Sequence, residues 1–143
     1  KENLTPDQMS DLLNKQSVVK GISGISSDIR EVEAGIREGN ERAKLAMEMY
    51  DYRIKKYIGA YAAAMGGVDI VVFTAGVGEH QWDVRQGACE GLEFMGIKID
   101  AEKNKANCGE EEIISAPDSK VKVVVVPTDE ELLIASDTLD LVK

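Results

Sequence analysis

Three short clusters bring together residue types that bind nucleotides and metal ions. The first is Thr74-Ala75-Gly76-Val77-Gly78, which follows the apolar run Ile70-Val71-Val72-Phe73. Small side chains leave backbone N–H groups bare, and glycine reaches positive φ without the penalty of a Cβ. A strand that delivers such residues to the start of a helix offers amides and a helix dipole to phosphate. The second is Thr128-Asp129-Glu130-Glu131, with carboxylate oxygens at a helix start. Glycines beside acids suit a magnesium–nucleotide site, since amides meet phosphate or ribose and hard oxygens hold Mg²⁺, often through water. The third is Asp28-Ile29-Arg30, where a guanidinium can stack on a purine while a carboxylate hydrogen-bonds to it. Each cluster has a plainer reading. The glycines could serve only a tight turn, Glu130 and Glu131 could only cap a helix, and Asp28 could only complement a helix dipole.

The elements around these clusters decide whether they can meet. Asp69 to His80 reads as a strand, a glycine turn and then a helix just beyond. The apolar residues do not alternate, which implies a central strand covered on both faces, as in an α/β sheet. Lys122 to Val126 has the same character and ends at Pro127. If these two strands are parallel, both strand-to-helix junctions open at one edge of the sheet, where such folds place ligands.

Upstream, Thr5-Pro6-Asp7-Gln8 is a helix start with a capping box, for a helix running to about Asn14. Gly21 to Ser27 is small and polar enough to be a loop, after which Ser26 or Ser27 caps a helix running to about Glu38. From Asn40 to Met65, Ala43, Met47, Tyr50, Ile54, Tyr57 or Ile58, Tyr61 and Met65 repeat at helical spacing. Leu45, Met49 and Tyr52 add a second stripe, so this helix is expected to contact neighbours on two sides. Asp83 to Phe94 reads as a helix ended by Gly96, and Ile97 to Asp100 as a short strand. Residues 101–119 read as a polar surface segment, and Thr128 as the start of a capping box for the last helix.

Composition narrows the function classes. The net charge is −9, which disfavours nonspecific attraction to nucleic acid or to an anionic membrane. No apolar run reaches the roughly 18 residues of a spanning helix, and the N-terminus is not signal-like. Cys89 and Cys108 lack CxxC spacing and read as reduced thiols of a cytoplasmic protein, and the single His80 excludes a His-rich metal centre. The length suits one domain, and no linker divides the chain. The opening KENLTPDQ carries no Met, as expected for a trimmed terminus or a fragment.

Four segments taken together resemble one family. They are GISGISSDIREVE (21–33), AYAAAMGGVDIVVFTAGVGEH (60–80), VRQGACEGLEFMGIKIDAEKN (84–104) and VVVVPTDEELLIASDT (123–138). In order and spacing they are similar to the C-terminal part of acetate kinases. The resemblance implies a partial ribonuclease-H-like domain of the actin, sugar kinase and heat-shock ATPase superfamily, an α/β fold with a mixed sheet flanked by helices. It implies reversible phosphoryl transfer from ATP to acetate, giving acetyl phosphate and ADP, with Mg²⁺ as cofactor. Propionate or butyrate kinase, and a stand-alone nucleotide-binding or dimerisation module, are the alternatives. By position, Asp28, Ile29 and Arg30 match the adenine and ribose contacts. Gly76, Val77, Gly78, Glu79 and His80 match the nucleotide loop, with His80 where the family usually has Asn, and Glu130 matches the Mg²⁺-associated acid. The resemblance places the acetate site and the catalytic residues in an N-terminal domain upstream of Lys1, so no catalytic residue is expected in this chain. It also implies a cytoplasmic homodimer.

Overall fold

The computed structural model describes residues 3–142. The chain divides into two compact units, Lys1–Tyr57 and Ile58–Lys143, although no linker separates them in the sequence; the boundary falls inside one long helix.

The first unit opens with α1 (Pro6–Lys15), which starts as its capping box dictates. The Thr5 hydroxyl accepts from the Gln8 N–H, and Gln8 Oε1 accepts from the Thr5 N–H at 3.0 Å. The expected loop at Gly21 is instead the end of a helix, α2 (Val18–Ser23). The break is displaced to Gly24, whose left-handed φ of 74° closes the helix with an N–H bond to the Lys20 carbonyl. Arg42 supports this end by donating to the carbonyls of Ile22 at 2.8 Å and Gly21 at 3.2 Å. Next comes α3 (Ile29–Arg37), capped by Asp28 itself rather than by Ser26 or Ser27. The Ser26 hydroxyl accepts from the Asp28 N–H and so shapes the approach to the cap.

The long helix α4 (Glu41–Met65) is capped by Asn40, whose Oδ1 accepts from the N–H groups of Arg42 and Ala43. Of its first stripe, Ala43 and Met47 are buried, with Ala46 beside them, while Tyr61 and Met65 near its end are exposed, as are Leu45, Met49 and Tyr52 of the second stripe. Contact on one side is therefore observed and contact on the other is not.

The second unit is built on a three-stranded sheet, order β1 (Ile70–Phe73), β3 (Lys122–Val125), β2 (Glu112–Ile113). β1 pairs parallel with β3 in the register Ile70↔Lys122 to Phe73↔Val125, and β2 pairs antiparallel. The centre is β3, where Val123 and Val125 are fully buried, each contributing roughly 1.5–3 kcal/mol of transfer energy. The expected covering of β1 on both faces does not hold. β1 is an edge strand; Phe73 is buried on one face, while Ile70 and Val72 on the other are 53% and 52% exposed.

The helices of this unit are α5 (Ala75–His80), α6 (Trp82–Cys89), α7 (Ala101–Ala106) and α8 (Glu130–Val142). The helix expected over 83–94 stops at Cys89, because Gly91 turns left-handed ahead of a 3₁₀ turn at Glu93–Met95. Gly96 ends that turn as expected. Ile97 and Ile99 each form a single bridge, to Val121 and Ser115, rather than a strand. Residues 101–119 are not merely surface: they hold α7, β2 and the buried Asn104, Asn107, Ile114 and Ser115. Cys89 and Cys108 are not joined in a disulfide. Among the described residues, no helix is long and apolar enough to cross a membrane.

Candidate functional site

Because β1 and β3 run parallel, the segments after Phe73 and Val125 leave the sheet at the same edge. There Gly76 and the stretch Thr128, Asp129, Glu130, Glu131 line one open cleft of about 420 Å³. The two junctions singled out in the sequence therefore meet.

Their local geometry differs from a glycine turn. Thr74 is extended, and the left-handed residue is Ala75, with φ 59°, at a cost of about 1–2 kcal/mol. Gly76 and Gly78 lie inside α5. Gly78 is favoured by close approach, since a Cβ there would sit 3.1 Å from the Phe73 carbonyl carbon. Gly76 meets the opposite condition. A Cβ there would have nothing within 4 Å, so the backbone faces the cleft with room for a ligand to approach. Val77 is half-buried behind it.

Glu79 is the surprise of this loop. Its side chain turns inward, and the residue is 8% exposed. Glu79 Oε1 accepts from both the Thr128 N–H and the Thr128 hydroxyl, each at 2.9 Å. The Thr128 N–H bond, then its hydroxyl bond, hold the Glu79 carboxyl below the usual carboxylate range against the opposing effect of burial. Thr128 is therefore not the cap expected from the sequence. That role passes to Asp129, whose Oδ1 accepts from the Leu132 N–H at 2.9 Å. His80 is largely exposed, with Nε2 4.0 Å from Glu79 Oε2. It packs over Gly109, where any Cβ would fall 2.6 Å from His80 Cε1.

The floor of the loop is Arg85, fully buried on α6. Its Nη1 donates to the carbonyls of Gly78 at 2.9 Å and Glu79 at 2.7 Å. Its Nε reaches Asn104 Oδ1 at 2.7 Å, and Nη2 reaches the carbonyls of Asn104 and Asn107. Burial lowers the guanidinium pKa, with Asp83 opposing, yet five bonds to oxygen satisfy the charge without a carboxylate in contact. Nothing local in the sequence signals this. The only hint is a lone arginine on the helix face that carries Val84 and Ala88.

In the first unit, Asp28 and Arg30 engage each other. Arg30 Nε donates to Asp28 Oδ1 at 3.1 Å and Nη2 to Oδ2 at 2.6 Å, while Oδ1 also caps α3. This pairing, with the N-cap bond, lowers the Asp28 pKa, and the Asp28 hydrogen bond raises that of Arg30. The result is an exposed guanidinium paired at two points with the Asp28 carboxylate, next in sequence to the half-buried Ile29.

Among the described residues, no group of three or more His, Cys, Asp or Glu could cage a metal ion. The donors at the cleft are the exposed carboxylates of Glu130 and Glu131, with Asp129 occupied as a cap. That set fits Mg²⁺, which keeps most of its waters and takes one or two carboxylates together with substrate phosphates.

Two outcomes follow from these contacts. Arg85→Ala leaves at least four buried oxygens without their donor and should cost more than about 3 kcal/mol in a denaturant titration. A loss below 1 kcal/mol would contradict the account. Glu79 has a lower pKa folded than unfolded, so it stabilises the fold above the ordinary glutamate value of about 4.3 and loses that contribution as pH falls through the lowered value. Melting temperatures between pH 6 and pH 3 should therefore fall more steeply in the unmodified chain than in Glu79→Gln.

Comparison with known proteins places this geometry. Residues 1–136 match the model of the acetokinase family. An acetate kinase of Phocaeicola vulgatus is 67% identical over 139 residues, covering 97% of this chain and 35% of its own length. The crystal structure of Porphyromonas gingivalis acetate kinase superposes with a TM-score of 0.88 at 60% identity, over 98% of this chain and 35% of that one. A propionate kinase from Francisella tularensis superposes at 0.79 with 34% identity, over 92% and 33% respectively. The expected fold is thereby borne out as a small mixed sheet flanked by helices, as in these kinases. The chain spans about a third of the length of these relatives, and it belongs to the acetokinase family.

Proposed function

We propose that this chain supplies the adenine-nucleotide-binding and dimerising part of an enzyme that transfers a phosphoryl group reversibly between ATP and acetate, giving acetyl phosphate and ADP. The observation that carries the reading is the meeting of bare Gly76 backbone with Glu130 at one sheet edge. In this reading Asp28, Ile29 and Arg30 take the adenine and ribose, the arginine plane as a stacking surface. The backbone from Gly76 to His80 faces the adenosine side of the nucleotide. Glu130 holds Mg²⁺ through water, and the ion, when bound, neutralises charge on the phosphoryl oxygens. These residues bind and orient the donor; none of them attacks or protonates a reacting atom. Acetate and the migrating phosphoryl group are held by residues outside these 143, so the chain assayed alone is a binding module.

The similarity to a propionate kinase at 34% identity favours a longer acyl acid as the second reading, since nothing in the cleft selects the acid. A hydroxylamine assay for acetyl and propionyl phosphate on the 143 residues should detect neither, and clear turnover would overturn the division of labour. Calorimetric titration with MgADP should show binding, weakened about tenfold in Asp28→Asn, which keeps the N-cap while losing a charge-assisted bond. Equal affinity in both would remove the role given to Asp28. The dimerising role rests on the exposed stripe Leu45, Met49 and Tyr52. Sedimentation velocity should show a dimer that Met49→Glu dissociates; a monomer at every concentration would sink this part.

A further inference from the structure

Glu79 sits in the loop that the family resemblance assigns to nucleotide, yet its carboxylate is unsuited to touching one. The residue is nearly buried, one oxygen is doubly committed to Thr128, and its charge would repel phosphate. The partner it chose is informative. Thr128 lies one residue before the Asp129 cap and two before Glu130, in the β3–α8 junction, whereas Glu79 belongs to the helix that follows β1. The bond spans 49 positions of sequence and ties the α5 side of the cleft to the β3–α8 side, beyond the backbone bond from the Val126 N–H to the Phe73 carbonyl at 2.9 Å.

We propose that Glu79 is a positioning residue: its carboxylate latches the start of α8 to α5, fixing Glu130 relative to Gly76 so that Mg²⁺ and nucleotide bind as a coupled pair. The inference rests on the nucleotide reading above and adds to it the residue that couples the two ligands. Two donors converge on one oxygen, so both the backbone N–H and the hydroxyl of Thr128 are held, two residues ahead of the first residue of α8. Arg85 grips the Glu79 carbonyl from the other side, so the latch is anchored to the core rather than to a free loop. Without it, each ligand would still find its own groups, but each would no longer meet the other's at a set spacing.

The test compares ADP affinity with Mg²⁺ and with EDTA, by calorimetry on the 143-residue chain. The readout is the ratio of the two, which a general loss of fold would not change selectively. Glu79→Gln keeps an oxygen able to accept both Thr128 donors and should keep the wild-type ratio. Glu79→Ala should reduce the ratio about tenfold, and Thr128→Val, which keeps only the N–H donor, should fall between them. An unchanged ratio in Glu79→Ala overturns the proposal. So does an equal loss in Glu79→Gln and Glu79→Ala, which would make the charge itself a ligand. Absence of ADP binding in the unmodified chain would instead overturn the nucleotide reading. The latch is then judged by amide hydrogen exchange: no acceleration at Thr128 in Glu79→Ala would overturn it as well.

Discussion

The second unit depends on one buried guanidinium. Arg85 is enclosed completely, and a charge in that position is tolerable only if its five donors all find acceptors. The chain meets this demand with backbone carbonyls from two places, the end of α5 and the C-terminal end of α7 with its cap Asn107, plus the amide oxygen of Asn104. The requirement runs both ways. The arginine needs the carbonyls, and two segments with little apolar surface of their own need the arginine to be held down. Asn104 adds to the knot by donating to the Trp82 carbonyl, and Asn107 by bonding Glu110 and Glu112 around the turn.

What could be read in the sequence was what is local or periodic. The Thr5–Gln8 capping box, the helix from Asn40 to Met65 and the two apolar strands are found within a residue or two of expectation. So is the meeting of the two junctions, because parallel pairing brings both strand ends to one edge. The misses share a physical character. The Arg85 cluster joins residues 19 to 22 positions apart through polar atoms, and polar residues outside a periodic stripe read as solvated. α7 has six residues, less than two turns, too few to display a period. Thr128 has the right spacing for a cap, but the cap was outcompeted by a carboxylate arriving from far along the chain.

The positive φ was expected at glycine and found at Ala75, which shows how context redistributes conformational cost. Gly78 leaves space against Phe73, while a Cβ on Gly76 would meet nothing within 4 Å. The strain then falls on the smallest residue that remains. β1 carries a related lesson: its unbroken apolar run suggested two covered faces, and one of them, bearing Ile70 and Val72, lies open in this chain.

Ordering a flexible loop on ligand capture consumes roughly 0.5–1.5 kcal/mol for each mobile side chain that must be frozen. The α5 segment has had that ordering done during folding, with its carbonyls pinned from below by Arg85 and its one acidic side chain already committed to Thr128. Whatever enters the cleft beside Gly76 therefore meets a surface whose entropy has been surrendered in advance, and even modest contacts there can be kept as net affinity.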